Sequence, residues 1–187
     1  MLAAIPRTMI LLDPKLELDP ALASANARKM AVSGPLKNLR IPSTRTLDRF
    51  LKEAQVAVAL SGQATVLLTT DATLRDLNRR FRGKDRATDV LSFPSTNSAP
   101  GPEKTAGDLA ISVETARKQA AEQGHALGVE LRVLILHGLL HLAGYDHEAD
   151  AGKMQRRELQ LRARLGLPQG LIERATAKRT KTRRRKP

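Results

Sequence analysis

Apolar positions recur at helical spacing through Leu47, Phe50, Leu51, Ala54 and Val58. This predicts an amphipathic helix capped by Ser43 or Thr44 and running to about Leu60, where Ser61-Gly62 ends it. The next apolar run, Ala64 to Thr69, is β-rich and reads as a strand. Asp71 is placed to cap a short helix through Leu74, Leu77 and Asn78 that ends near Arg80. A charged loop from Phe81 to Asp89 leads into the strand Val90-Leu91-Ser92-Phe93-Pro94, which proline stops. Residues 95–106 have the composition of a flexible loop, and Gly107 to Ser112 alternates as a strand does. Val113 to Gln123 is amphipathic with a basic outer face and is closed by Gly124. The pattern then changes. From Val129 to Ala143, Leu131, Val133, Leu134, Ile135, Leu136, Leu139, Leu140 and Leu142 occupy nearly every face, so this helix belongs in the centre of the fold. Glu148 to Leu165 returns to a charged pattern with Met154, Leu161 and Leu165 on one side, and Gly166 and Pro168 stop it.

Upstream, Met9 to Leu12 is a short apolar run suited to an edge strand. Residues 13–42, punctuated by Pro14, Pro20, Pro35 and Pro42, read as a mobile insertion or a weakly docked helix. The order of elements predicts an α+β fold: a small mixed β-sheet covered by helices, with the apolar helix packed on it. Three regions follow: 1–42, an N-terminal strand and a poorly defined insertion; 43–168, one folded domain; and 169–187, a basic tail too charged to fold alone.

Composition narrows the chemistry. The 187 residues include no cysteine, so a disulfide framework and thiolate metal ligands are both excluded, and a metal must be held by histidine or carboxylate. No apolar run approaches the roughly 20 residues that span a bilayer. The apolar patch near the start lacks a basic leader, so no signal peptide is expected. Net charge is +13, and the eight Lys and Arg of residues 174–187 account for all but +5 of it. A polyanionic partner fits this balance, nucleic acid above all. Aromatics are only 2% of the chain, which argues against an extended base-stacking platform.

Three of the four histidines fall in one stretch, His137-Gly138-Leu139-Leu140-His141-Leu142-Ala143-Gly144-Tyr145-Asp146-His147. Residues 137 and 141 stack on one helix face, one turn apart. Gly144 can end the helix in a left-handed conformation, and the returning chain can bring His147 round as a third ligand. Three imidazoles leave a fourth position open, the arrangement of a catalytic zinc site. The register is that of metzincin proteases, H-E-x-x-H-x-x-G-x-x-H. Gly138 stands where those enzymes carry the glutamate base, so the frame predicts the metal and argues against peptidase chemistry. Asp146 and Glu148 are candidates to orient a ligand imidazole, and Asp146 is equally suited to capping the turn or the next helix. Met154 reads as core and His125 as a structural or exposed residue outside the cluster.

Two separate blocks together resemble the YbeY family of bacterial endoribonucleases. One is Leu77-Asn78 with Phe81-Arg82-Gly83-Lys84-Asp85 and Thr88-Asp89-Val90-Leu91-Ser92-Phe93-Pro94; the other is His137-Gly138 to His147, with Gly107-Asp108-Leu109 between them. The resemblance covers about residues 44–166. It implies single-strand-specific RNA cleavage in ribosomal RNA maturation, including the 16S 3′ end, and in ribosome quality control. It also implies one Zn2+ on His137, His141 and His147, a functional arginine at Arg82, association with the small ribosomal subunit, and a cytoplasmic location. Phe81 stands where tyrosine is usual. On this reading His137 and Arg82 are the catalytic residues, Arg82 also binds substrate, and Asp146 supports the ligands from behind. No general base stands out: Asp85, Asp89 and Asp108 suit solvated or capping roles better. The basic tail reads as a salt-sensitive RNA contact. Two other functions compete, a metzincin-type metallohydrolase and a non-catalytic ribosome-assembly factor with a structural metal.

Overall fold

In a computed structural model, residues 8–16, 41–96, 104–147 and 149–168 are described. Four strands form one sheet: β1 (Met9–Leu12), β2 (Gln63–Thr69), β3 (Val90–Pro94) and β4 (Thr105–Ser112). Their order is β1-β2-β4-β3, with β1, β2 and β4 parallel and β3 antiparallel at the far edge. The small mixed sheet of the sequence reading is present, with Met9–Leu12 as an edge strand. Five helices cover it: α1 (Thr44–Val58), α2 (Asp71–Arg82), α3 (Val113–Gln123), α4 (Leu127–Leu142) and α5 (Lys153–Arg164).

Strand alternation sorts the two faces. Ile10, Val66, Leu68, Leu109 and Ile111 point to one face and join the main core with Leu47, Leu51 and Ala54 of α1 and the buried side of α4. Leu91 and Ala110 point to the other, where Leu74 of α2 covers them and Leu77 and Phe93 pack alongside. Because Val90 pairs with Ile111, Ser92 with Leu109 and Pro94 with Gly107, those three β3 residues share the face on which α4 lies. The histidine helix therefore runs beside an edge strand, and a cleft can open there. The expectation for α4 holds: eleven of its sixteen residues are buried. Among the described residues no single helix is long and apolar enough to cross a membrane.

Hydroxyl caps open three of these helices. Ser43 accepts from the Thr46 amide, Thr70 from Thr73, and Ser112 from Thr115. Several boundaries differ from the sequence reading for identifiable reasons. Helix α1 stops at Val58, because Ala59 turns left-handed (φ 64°) and the Gln55 side-chain amide donates to the carbonyls of Leu60 and Gly62. Thr70, not Asp71, caps α2, while the Asp71 carboxylate accepts from the hydroxyls of Ser112 and Thr115. Helix α2 continues past Arg80 to Arg82, and Gly83 ends it at φ 66°. Helix α4 begins at Leu127, two residues early, with the Glu130 carboxylate of its first turn bonded to His125 at 2.5 Å. Helix α5 begins at Lys153 rather than Glu148, because Asp150 accepts from the amides of Gly152 and Met154 and holds a turn before it. Asp150 thus serves the amides at the start of that helix. Most of the 13–42 segment, the middle of the 95–106 loop, Glu148 and the basic tail lie outside the described residues.

Candidate metal centre and cleft

Helix α4 carries His137 and His141 one turn apart, and Gly144 (φ 87°) turns the chain back so that His147 meets them. One ring nitrogen from each imidazole lies within 4.8 Å of the others. The Nε2 atoms of His137 and His141 are 3.2 Å apart. Two nitrogens bound to one tetrahedral ion at ~2.0–2.1 Å sit about 3.3 Å from each other, so the donor set fits a zinc-type ion without rebuilding the helix. The stretch found by spacing alone is brought together as expected.

The electrostatics suit ligation. Burial pushes the pKa of His141 down to about 4, and the neighbouring His137 and His147 rings add to the effect, against smaller opposing contributions from the Tyr145 backbone and Asp146. The ring is therefore neutral at pH 7, with a lone pair to give. His137 is oriented by a residue the sequence reading missed. Its Nδ1 lies 3.2 Å from Oε2 of Glu158 on α5, so an Nδ1–H donated to that carboxylate leaves Nε2 bare and facing His141. Burial pushes the Glu158 carboxyl upward, but the hydrogen bond and electrostatic attraction of the His137 N–H, followed by the attraction and hydrogen bonds of Arg162, outweigh it and hold the group below its ordinary value. Met154, Glu158 and Leu161 form one buried stripe of α5. An acid on such a stripe was the available signal.

The three histidines line a cleft of about 690 Å³ together with Arg82, Lys84, Arg86, Asp146 and the β3 residues Val90, Ser92 and Pro94. Arg82 comes from the last turn of α2 and enters the cleft as anticipated, though from a helix rather than a loop. Its basic neighbours are engaged elsewhere: Arg79 and Arg80 share Asp76, and Arg75 pairs with Asp85. Arg82, Lys84 and Arg86 make no ion pair among the described residues, which leaves three cations for an anionic ligand. Of the acids weighed from the sequence, Asp85 is held by Arg75 through two bonds of 2.7 and 2.9 Å. Asp89 borders the cleft, but its carboxylate accepts from the Val90 amide and the Gln119 side chain. Asp108 is exposed on β4 and does not line the cleft. Phe81 is exposed and sets its ring edge-on to Phe93, 5.2 Å away. Met154 is fully buried, as core residues are, and His125 pairs with Glu130 away from the cluster.

Gly138 has a packing reason of its own. A Cβ there would lie 2.7 Å from Cδ2 of Leu109 on β4. The position that carries a glutamate in metzincins therefore faces the sheet and not the cleft, and no base can act from it.

The sequence profile of the family described as Endoribonuclease YbeY matches residues 26–166. The chain belongs to the YbeY family. Its match begins inside the 13–42 segment that the sequence reading placed outside the family core, so that boundary moves toward the N-terminus. The Endoribonuclease YbeY of Koribacter versatilis is 51% identical over 150 residues, covering 80% of this chain and 95% of the relative. That of Solibacter usitatus is 52% identical over 138 residues, covering 72% and 90%. The solution structure of a Thermotoga maritima protein aligns with a TM-score of 0.43 at 29% identity, over 63% of this chain and 80% of that one. The family match at residues 26–166 covers both Arg82 and the histidine helix.

Proposed function

We propose that this chain is a zinc-dependent, single-strand-specific endoribonuclease of ribosomal RNA maturation and ribosome quality control. The observation that carries the reading is the shared cleft, lined by three convergent imidazoles together with Arg82, Lys84 and Arg86. His137, His141 and His147 would hold one Zn2+, an ion that three imidazoles suit in a chain without cysteine. When bound, the ion supplies Lewis-acid chemistry toward a phosphoryl oxygen and toward water.

The protein's own groups do the rest. Arg82 offers a planar, permanently charged fork that grips a phosphate through two oxygens and steadies the charge that grows there as the bond breaks. Lys84 and Arg86 carry the flanking phosphates. Glu158 keeps the proton on Nδ1 of His137. Asp146, exposed at the cleft beside His147, biases the imidazole cluster from the solvent side. The same reading takes the small ribosomal subunit as partner and the cytoplasm as location, and the +13 charge supports a polyanionic partner.

The test is cleavage of single-stranded RNA by purified protein. Activity is expected to vanish on chelation, to return with added zinc, and to be lost in His137→Ala and Arg82→Ala. Cleavage at the wild-type rate in both variants refutes the assigned site.

A further inference from the structure

We propose that Glu158 and Arg162 are positioning residues, a buried relay that fixes the tautomer and orientation of His137 from behind the metal site. Helix α5 is polar outside, yet two charges lie inside it: Glu158 is 2% exposed and Arg162 1%. Burying both is costly unless each is fully partnered. The partners run in a line. Oε2 of Glu158 meets Nδ1 of His137 at 3.2 Å. Oε1 accepts from Nε of Arg162 at 2.9 Å and also from its Nη2. Arg162 Nη1 then donates to the Pro168 carbonyl at 2.7 Å, beyond the end of the helix.

The geometry distinguishes this from a pair that merely stabilises the fold. An isolated arginine–carboxylate pair favours a fork in which each donor takes its own oxygen. Here both guanidinium donors converge on Oε1, and Oε2 is left for the imidazole. A carboxylate held by Arg162 cannot rotate away from His137, and the Nδ1–H that it accepts leaves the Nε2 lone pair facing His141. Arg162 in turn ties the turn after α5 to this arrangement, so that the C-terminal end of the described domain supports the centre of the cleft.

The inference rests on the reading of the three histidines as a metal site, and the experiment separates the two. Zinc affinity is measured by competition with a chromophoric chelator, and the ligand field is read from the visible spectrum of the Co2+-substituted protein. Removing both charges at once, in Glu158→Leu with Arg162→Met, avoids stranding one of them, so the metal-free variant is expected to melt near the wild-type temperature. Its zinc affinity is expected to fall about 10- to 100-fold, the usual loss when the support behind a ligand is removed, and its Co2+ spectrum to shift. Wild-type affinity and an unchanged spectrum in that variant overturn the relay. Failure of the wild-type protein to bind either metal overturns the metal site and the relay with it. Should the double variant not fold, Arg162→Lys, which keeps a buried cation beside Glu158 but loses the two-donor grip on Oε1, is expected to weaken zinc binding severalfold. Unchanged binding there overturns the relay equally.

Discussion

Gly138 of α4 lies so close to Leu109 of β4 that a Cβ would come within 2.7 and 2.9 Å of the two leucine methyls. The absence of a side chain lets the histidine helix settle onto the sheet and sets the depth of the cleft wall. Alanine at 138 gains up to about 1 kcal/mol of helix propensity, but overpacking a filled core costs about 1–3 kcal/mol. Leu109 is only 1% exposed and packed within the main core, so the clash wins. Gly138→Ala is expected to lose about 1–2 kcal/mol in urea denaturation. Leu109→Ala alone should cost about 2–5 kcal/mol, and the double variant less than the sum, because each change relieves the other. Strict additivity would show that the two residues do not press on one another.

That glycine illustrates what could be read beforehand. Periodicity placed the helices and strands, because an apolar face at a 3.6- or 2-residue period is a local property. The histidine register was legible for the same reason: one helix turn and one glycine turn bring three side chains together without help from elsewhere. Gly138 could be read as a missing base, but its contact with Leu109 belongs to the packing of α4 on β4. Glu158 was missed because it reaches His137 across 21 positions, from a different helix. Arg82 was assigned to a loop because its charged neighbours mask the last turn of α2, although Gly83 marked the stop. The placement of β3 at the edge beside α4, which opens the cleft, is a matter of sheet order, and strand patterns alone do not reveal it.

Arg82 can act on the reacting phosphate or on its neighbour, and kinetics separates these roles. If its fork tightens as charge builds on the scissile group, Arg82→Ala should lower kcat by about 10²–10³-fold with little change in KM. Arg82→Lys keeps the charge but loses the two-point grip, so it should recover only part of the rate. A raised KM at unchanged kcat would place the residue on a flanking phosphate instead.

Lys84 and Arg86 border the cleft and are exposed, so their contribution should be electrostatic and independent of sequence. Replacing either with glutamine is expected to weaken RNA binding evenly across oligonucleotides. The slope of log affinity against log salt should fall by about 0.7 for each single-strand phosphate that is no longer neutralised. A slope equal to the wild type in the double variant would remove both from the path of the strand.

The opposite edge of the sheet is pinned by a carboxylate whose pKa makes a prediction about acid stability. Asp13 follows β1, and its amide donates to the Leu68 carbonyl at 2.9 Å. Its side chain accepts from the Thr69 hydroxyl at 2.5 Å, the Lys15 amide at 2.9 Å and the Thr73 hydroxyl at 3.3 Å. Burial pushes the carboxyl up, but these hydrogen bonds, with the charge of Lys15, outweigh it and hold the group below its ordinary value. The folded state therefore favours the ionised form. Its contribution is fully present above the unfolded carboxyl pKa of about 3.9 and is lost as pH falls through the lower folded value. Asp13→Asn should accordingly destabilise the protein at pH 7 and flatten the loss of stability below pH 4, as measured by urea titration at each pH. Hydrogen exchange at the β1 amides, apart from Ile10, whose amide donates to Asp48 Oδ1, should rise in the same variant, because among the described residues the strand pairs only with β2 and this anchor lies at its end. Exchange at β1 equal to that of the wild type would mean that Ile10 and Leu16, both buried in the main core, hold the edge strand without help from the carboxylate.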